Sequence, residues 1–242
     1  MSNWFIIQII WIWYYYVNTT NEIKRCTLLK PKISLIIITL LMMGGCNTLS
    51  QKDISEIDPA ELPDVVAFQD EFTREFMAST EEVEEGYYLF KSKTGGYTMM
   101  FPENAQMDEI FYEMPGEKYE VIQFGENKET YDYNYTVRAT YDASSRASSP
   151  ERIQSILSAH AKYDGNYNLI NFGDRSIYTA TKEYFSDDGE KIGHSLLGVV
   201  MSNSSNQSLS IAYIVNIENN MPENLKQVND DFMKLIESIE FK

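Results

Sequence analysis

Residues 131–141, YDYNYTVRATY, alternate between two kinds of side chain along their whole length. The odd-numbered positions are aromatic or apolar and the even-numbered positions are polar: Tyr131, Tyr133, Tyr135, Val137, Ala139 and Tyr141 against Asp132, Asn134, Thr136, Arg138 and Thr140. Successive side chains of a β-strand point to opposite faces of its sheet. The stretch therefore predicts a strand with one face against a core and the other toward water, as in antiparallel sheets.

Other predicted strands lie on both sides of this one. They are residues 87–92, 97–101 and 119–124 before it, and 167–172, 175–185, 191–201 and 208–217 after it. Lys93-Thr94-Gly95-Gly96 and Asp187-Asp188-Gly189-Glu190 are typical of the turns that join the strands of a hairpin. Residues 196–201, LLGVVM, are apolar on both faces and predict a central strand.

Three stretches have the three-and-four spacing of an amphipathic helix. The first covers residues 64–78 and continues through the acidic residues 81–85 to Gly86; the second runs from Pro150 to Gly165, and the third begins near Pro222. Their apolar faces are Val65, Phe68, Phe72 and Phe76 in the first, Ile153, Ile156, Leu157 and His160 in the second, and Leu225, Val228, Phe232, Leu235, Ile236 and Ile239 in the third. An antiparallel β-sheet with helices packed on it is an α+β fold, which we predict for residues 64–242.

Two short motifs resemble the opening and the ending of Mog1/PsbP-like domains. Tyr97-Thr-Met-Met-Phe-Pro102 is a strand that ends in proline after a glycine hairpin. Phe232-Met-Lys-Leu-Ile-Glu-Ser-Ile-Glu-Phe241 is an amphipathic helix that runs into a short strand. The resemblance covers residues 86–242 and implies an α/β/α-type sandwich with a non-catalytic binding or assembly role. It places no catalytic residue on this sequence.

The segment before Cys46 has the pattern of a secretory signal peptide. Lys30 and Lys32 precede an apolar run of thirteen residues, 33–45, which ends in two glycines. A basic flank, a short apolar core and small residues at the end are typical of an export signal, and a transmembrane helix needs about 20 residues. Residues 1–45 are therefore predicted to be the signal peptide region.

The small residues before Cys46 also resemble a lipobox, the sequence that bacterial lipoprotein-processing enzymes read. The resemblance implies that the Cys46 thiol receives a diacylglycerol, that a signal peptidase cuts between Gly45 and Cys46, and that acyl chains such as palmitate anchor the mature protein. Met43 departs from the leucine usually found three positions before the cysteine. The alternative is an uncleaved anchor with an incidental cysteine.

Residues 1–27 do not fit an ordinary signal peptide. Residues 1–17, MSNWFIIQIIWIWYYYV, lack the leading positive charge that export signals carry. They are either a first membrane-inserted segment or an upstream extension that is not translated, with the true start at Leu28 or Leu29. On the other side of Cys46, residues 46–63 are polar and contain proline, and we predict a lipid-anchored tether there.

Charge and cysteine content exclude several classes of function. Before Cys46 the chain has four basic residues and one acidic residue, which leaves 16 Lys+Arg against 35 Asp+Glu from Cys46 onward and a net charge of −19. Nucleic-acid phosphates and anionic lipid headgroups repel such a domain, so no nucleic-acid partner is expected. Because the only cysteines are Cys26 and Cys46, the domain has neither a disulfide framework nor a thiolate metal site.

No catalytic or cofactor motif is present after Cys46. His160 lies on a predicted helix face and His194 on a strand face, and we interpret both as structural residues. Gly193-His-Ser195-Leu-Leu-Gly198 lacks the spacing of a nucleophile elbow. The acidic loops 164–166 and 187–190 lack EF-hand spacing and are interpreted as solvated turns, with calcium binding left open. We therefore predict no catalytic residue, no metal and no cofactor.

The sequence thus predicts an extracytoplasmic lipoprotein of the cell membrane, held there by a diacylglycerol on Cys46. Its acidic α+β domain is expected to bind a protein or small-molecule partner, or to assist assembly, without catalysis. The alternative is an exported hydrolase whose site is assembled only in the fold. A concave pocket with two converging carboxylates or a histidine pair would favour that alternative.

Overall fold

The computed structural model describes residues 54–128, 133–189, 191–217 and 225–242. Within them, four α-helices and twelve strands belong to one compact unit with two antiparallel sheets, so the α+β prediction is confirmed. The helices are α1 (Val66–Gln69), α2 (Glu71–Arg74), α3 (Pro150–Ala161) and α4 (Leu225–Glu237). The strands are β1 (Met77–Glu84), β2 (Tyr87–Lys91), β3 (Tyr97–Pro102), β4 (Gln106–Met107), β5 (Glu113–Gly116), β6 (Tyr119–Lys128), β7 (Tyr133–Asp142), β8 (Asn168–Phe172), β9 (Arg175–Phe185), β10 (Lys191–Ser202), β11 (Ser208–Ile217) and β12 (Glu240–Phe241).

The larger sheet has the strand order β4-β6-β7-β11-β10-β9-β8, with β5 also paired to β6. The alternation that predicted β7 is confirmed for residues 133–141: the odd-numbered side chains are buried and the even-numbered ones are half-buried. Tyr131 and Asp132 lie outside the described residues. The odd-numbered face of β7 and its continuation on the neighbouring strands form the inner face of the sheet.

The smaller sheet, in the order β1-β2-β3-β12, covers one half of that inner face. Aromatic contacts join the two sheets, because the rings of Tyr97 and Tyr141 lie 5.2 Å apart and those of Phe101 and Phe124 lie 4.9 Å apart. Rings at such distances contribute attraction beyond the area they bury. The core of the domain therefore lies between β3 and the pair β6–β7.

Helices cover both faces of β10, which lies between β9 and β11 as its apolar sequence predicted. On the inner face, a Cβ at Gly198 would lie 3.1 Å from Phe232 and 3.4 Å from Ile236 of α4, so glycine lets the helix approach closely. On the outer face, α3 forms a second cluster whose buried members are Ile153, Leu157, Ala180, Leu197, Val199 and Met201.

The helix predicted for residues 64–78 is confirmed only as two short helices within residues 66–74, and its predicted continuation through 81–85 is wrong. The backbone at Asp70 is extended, at ψ 125°, which ends α1, and the Asp70 carboxylate accepts the Thr73 amide and so starts α2. From Met77 the chain is a strand that pairs with β2. Its glutamates are exposed at the edge of the smaller sheet, where charge discourages pairing with another chain.

Other boundaries also differ from the predictions. Ile54 and Leu62 are buried in the core, so the predicted tether 46–63 is packed against the domain from residue 54 onward. Helix α3 ends at Lys162 in the left-handed region, at φ 51°, before Gly165 is reached. Pro222 lies outside the described residues, and helix α4 begins at Leu225.

Candidate functional site

The residues singled out from the sequence do not form a common site. Gly45 and Cys46 lie outside the described residues. His160 is exposed on α3 rather than part of its apolar face, whereas His194 is buried on β10. The hydroxyl groups of Ser195 and Tyr184 are joined by a hydrogen bond of 2.9 Å, which supports a structural role for Ser195.

The acidic loops are turns on the surface. Gly189 has a φ of +87°, and Asp188 accepts a hydrogen bond from Ser186 within the same turn. Among the residues that the structure describes, no group of three or more His, Cys, Asp or Glu side chains is arranged to hold a metal ion. In the same residues, no helix is long and apolar enough to span a membrane.

The most site-like feature is a cleft at the edge of the larger sheet where β4 meets β6, with a volume of about 570 Å³. We call it the outer cleft. Its polar lining comes from four places in the sequence: Asp70, the group Gln106, Asp108 and Glu109, then Gln123, and Thr136. The lining includes three carboxylates and no Lys, Arg or His side chain, so the outer cleft is an acidic environment.

Two of these carboxylates hold the local structure in place. Asp70 accepts the Thr73 amide at 2.8 Å and the Gln106 side chain at 2.8 Å, which joins α2 to β4. Asp108 accepts the Ile110 amide at 3.0 Å and the Gln123 side chain at 3.4 Å, which joins the following turn to β6. The oxygens of both carboxylates therefore already accept hydrogen bonds that position the backbone, which is a structural use of both side chains.

An unusually exposed apolar segment borders the outer cleft. Ile110 is 88% exposed, and Phe111 and Met114 are 47% and 43% exposed. We call these three side chains the apolar rim. Tyr112, between them, points inward: its ring packs edge-on against Phe72 at 5.6 Å and Phe76 at 5.4 Å. The inward ring anchors the segment and leaves its neighbours in the sequence at the surface.

A buried carboxylate lies on the inner side of the same region. Glu120 of β6 is 0% exposed and accepts hydrogen bonds from the Lys93 amide at 2.9 Å, the Tyr112 hydroxyl at 3.3 Å and the Thr94 hydroxyl at 3.4 Å. Burial raises the pKa of Glu120, and the hydrogen bonds that it accepts oppose this effect in part. Glu120 thus fastens the β2–β3 turn to the larger sheet.

A second polar network joins β6 to α4. Lys128 lies 3.4 Å from Asp231 and 3.7 Å from Glu126, and the Tyr135 hydroxyl donates to Glu126 at 2.8 Å. Burial, reinforced by Asp231, raises the pKa of Tyr87, whose hydroxyl bonds to that carboxylate. The cavity among these side chains is about 10 Å³, which is the size of one water molecule. We therefore interpret the network as structural.

The outer face of the smaller sheet carries a wider, more apolar groove of about 750 Å³. Its apolar lining includes Val83, Leu89 and Met100, and its charged lining contains both signs: Lys91, Lys242, Glu237 and Glu240. Mixed charge gives no preference for the sign of a partner. The groove is therefore a weaker candidate than the outer cleft.

Sequence reasoning did not identify the outer cleft. Its one local signal is Asp108-Glu109-Ile110-Phe111, two acidic residues followed by two large apolar ones between predicted strands. A loop with large apolar residues is a known sign of an interaction site. The contribution of Asp70 could not be predicted, because residues 64–78 were expected to form one continuous helix.

Comparison with known proteins gives a family and one curated relative. The family model described as "Putative lipoprotein YvcA" matches residues 63–240. The Bacillus subtilis (strain 168) protein of that name is 32% identical over 232 residues, covering 87% of this chain and 96% of its own length. A solved protein from Bacteroides thetaiotaomicron is similar over 66% of this chain at 14% identity, with a TM-score of 0.39. This chain spans about half, 49%, of that solved protein.

Proposed function

This chain belongs to the family described as "Putative lipoprotein YvcA", and from that premise we propose that it is an extracytoplasmic lipoprotein whose acidic domain binds a partner without catalysis. Cys46 is the proposed lipidation site, with cleavage after Gly45. The relative's name supports a lipid anchor, and Cys46 is the cysteine that follows an apolar run ending in two glycines.

A diacylglycerol on Cys46 is sufficient for stable attachment to the cell membrane. Each buried methylene contributes about 0.8 kcal/mol, and two acyl chains hold a protein where one gives only reversible binding. Seven residues, 47–53, separate Cys46 from Ile54, which is buried in the core of the domain. Seven residues span at most about 25 Å, so we propose that the domain stays close to the bilayer surface.

The proposed binding role rests on the outer cleft. It is large enough for several side chains, and it lies beside the apolar rim, yet its carboxylates Asp70 and Asp108 are occupied in holding the backbone. A surface with shape, charge and exposed apolar area supports recognition. We further propose that α3, the larger sheet, and the layer of the smaller sheet with α4 correspond to the α/β/α-type sandwich of Mog1/PsbP-like domains.

The hydrolase alternative needs converging carboxylates or a histidine pair. His160 and His194 lie on different elements, one exposed and one buried. No observation in the described residues favours this alternative over binding.

The anchoring proposal is tested by replacing Cys46 with serine and following labelled palmitate and membrane fractionation. We expect the label to disappear and the protein to leave the membrane fraction, because the thiol is the acceptor of the lipid. Thr48→Ser, a substitution two residues after Cys46, is the control and should leave both readouts unchanged. Retention of label and of membrane association in Cys46→Ser would refute the proposal.

We also propose that translation starts at Leu28 or Leu29 rather than at Met1, and this start has its own test. Mass spectrometry of the precursor, in a strain that cannot cleave lipoproteins, should find no peptide from residues 1–27. Detection of such a peptide would show that the upstream segment is translated.

A further inference from the structure

Exposed apolar side chains are concentrated in residues 110–119, a segment that begins at Ile110 in the lining of the outer cleft. In the described part of the chain, four of the ten large apolar side chains with high exposure fall within residues 110–119. They are Ile110, Phe111, Met114 and Tyr119. Single exposed apolar residues are ordinary, whereas a concentration of them next to polar groups marks a surface that another molecule covers.

The apolar rim is held in position before any partner binds. Tyr112 anchors its centre in the core, and β5, which carries Met114, pairs with β6. Glu113 of β5 also lies 3.9 Å from Arg138 of β7. A surface fixed by a sheet and an aromatic anchor loses little conformational entropy when it is covered, which favours binding.

Charge determines the kind of partner. Glu109, next to Ile110, is exposed and makes no ion pair with another described residue, so its charge is available to a partner. Together with Asp70 and Asp108 it makes the outer cleft attractive to cations and repellent to anions. A free metal ion would leave the apolar rim uncovered, whereas a polypeptide can offer a cation and an apolar side chain side by side.

We propose that the outer cleft and the apolar rim dock a basic segment of a protein partner, with a Lys or Arg side chain in the outer cleft and an adjacent large apolar side chain on Ile110. The proposal rests on the binding role proposed above and names the partner's chemistry. The volume of about 570 Å³ is within the range of about 300–1,000 Å³ of small-ligand sites, enough for two or three side chains of the segment.

The test uses the full-length lipidated chain in detergent micelles and a short fluorescent peptide that contains Lys and Arg beside one Leu. Two comparison peptides replace the basic residues with Glu, or the Leu with Ser. The chain variants are Glu109→Lys with Ile110→Ser, and a matched control on β1, Glu81→Lys with Val83→Ser. The control changes one exposed glutamate and one exposed apolar residue away from the outer cleft. Circular dichroism verifies that each variant is folded.

We expect fluorescence anisotropy to show binding of the basic peptide, weakened about tenfold or more by the cleft variant and less than about twofold by the control. Both comparison peptides should bind more weakly, and added salt should weaken binding, because exposed charges are screened. Equal weakening by both variants would mean general attraction to an acidic domain and would overturn the proposal. Absence of binding would overturn it too.

A calcium titration distinguishes a simple cation site. Calcium binding that the cleft variant abolishes, with no binding of the peptide, would overturn the docking proposal. Failure of docking is also separable from failure of the proposed binding role. If a cross-linked membrane complex persists in the cleft variant, the protein binds a partner through a surface other than the outer cleft. If no such complex forms with the wild-type chain, the proposed binding role is itself refuted.

Discussion

Glu120 and Glu109 lie at opposite ends of one short segment, yet the fold uses them in opposite ways. Glu120 is enclosed between the two sheets and accepts three hydrogen bonds from the protein. Glu109 lies in the acidic outer cleft next to Ile110, whose side chain is 88% exposed. Tyr112 lies between them, with its ring in the core and its hydroxyl on Glu120.

Burial, rather than residue type, therefore determines the role of a glutamate in this domain. An ionised group removed from water loses its hydration and must recover it from fixed donors, so it constrains the structure around it. An exposed carboxylate keeps its hydration and costs the fold little, so its charge remains available to a partner. A glutamate therefore stabilises the fold where it is buried, as at Glu120, and contributes charge to a recognition surface where it is exposed, as at Glu109.

The largest difference in stability is expected between the variants Glu120→Ala and Glu109→Ala. Removal of the buried Glu120 carboxylate leaves the Lys93 amide and the Tyr112 and Thr94 hydroxyls without this acceptor, and we expect a loss of about 2–3 kcal/mol in the free energy of unfolding. Glu109→Ala should change it by less than about 0.5 kcal/mol. Urea unfolding of both variants measures the two values. Equal losses would show that enclosure does not distinguish the two sites.

A smaller effect appears in the pH dependence of stability, measured as the difference between the wild-type chain and Glu120→Gln. Burial raises the pKa of Glu120 above its ordinary value of 4.5, so between these two values the folded state binds more protons than the unfolded state. The free energy of unfolding of the wild-type chain should therefore rise, relative to the variant, as the pH falls through this window. The gain in the free energy of unfolding is complete when the pH is below the ordinary pKa, and it is lost when the pH is above the raised pKa.

A rise in the relative stability of the wild-type chain with increasing pH, for Glu120→Gln, would contradict the assigned direction.

The smallest change in the free energy of unfolding is expected for Ile110→Ser, in the apolar rim. Because Ile110 is 88% exposed, its removal should change the free energy of unfolding by less than about 0.5 kcal/mol, although the peptide binding described above should fall. Thermal unfolding and anisotropy on the same preparation separate the two quantities. A large loss of stability would place Ile110 in the structure rather than in recognition.

Much of the fold could be predicted from local patterns. The predicted strands at 175–185 and 208–217 match β9 and β11, and the alternation of β7 and the apolar face of α4 identified residues that are buried. These elements have one consistent period over many residues, which local sequence reveals. Strands β4 and β5 have two and four residues and were not predicted, because so short a stretch shows no period.

The outer cleft could not be predicted for a different reason. Residues 65–76 have helical spacing, yet Asp70 ends one short helix and caps the next, and β1 follows because β2 is available to pair with it. The partners of Asp70 and Asp108 are Gln106 and Gln123, which lie far along the chain or in another strand. Contacts of this kind depend on long-range pairing that no local pattern contains.

Local sequence was enough for three features: the predicted export and lipidation signal that ends at Cys46, the strong negative charge after it, and the period of the long strands and of α4. Only the tertiary structure decided that Glu120 is enclosed, that residues 54–62 pack on the domain, and that Ile110 stands at the surface beside three carboxylates. The physical reason is that periodicity depends on neighbours in the chain, whereas burial depends on which distant strands fold against one another.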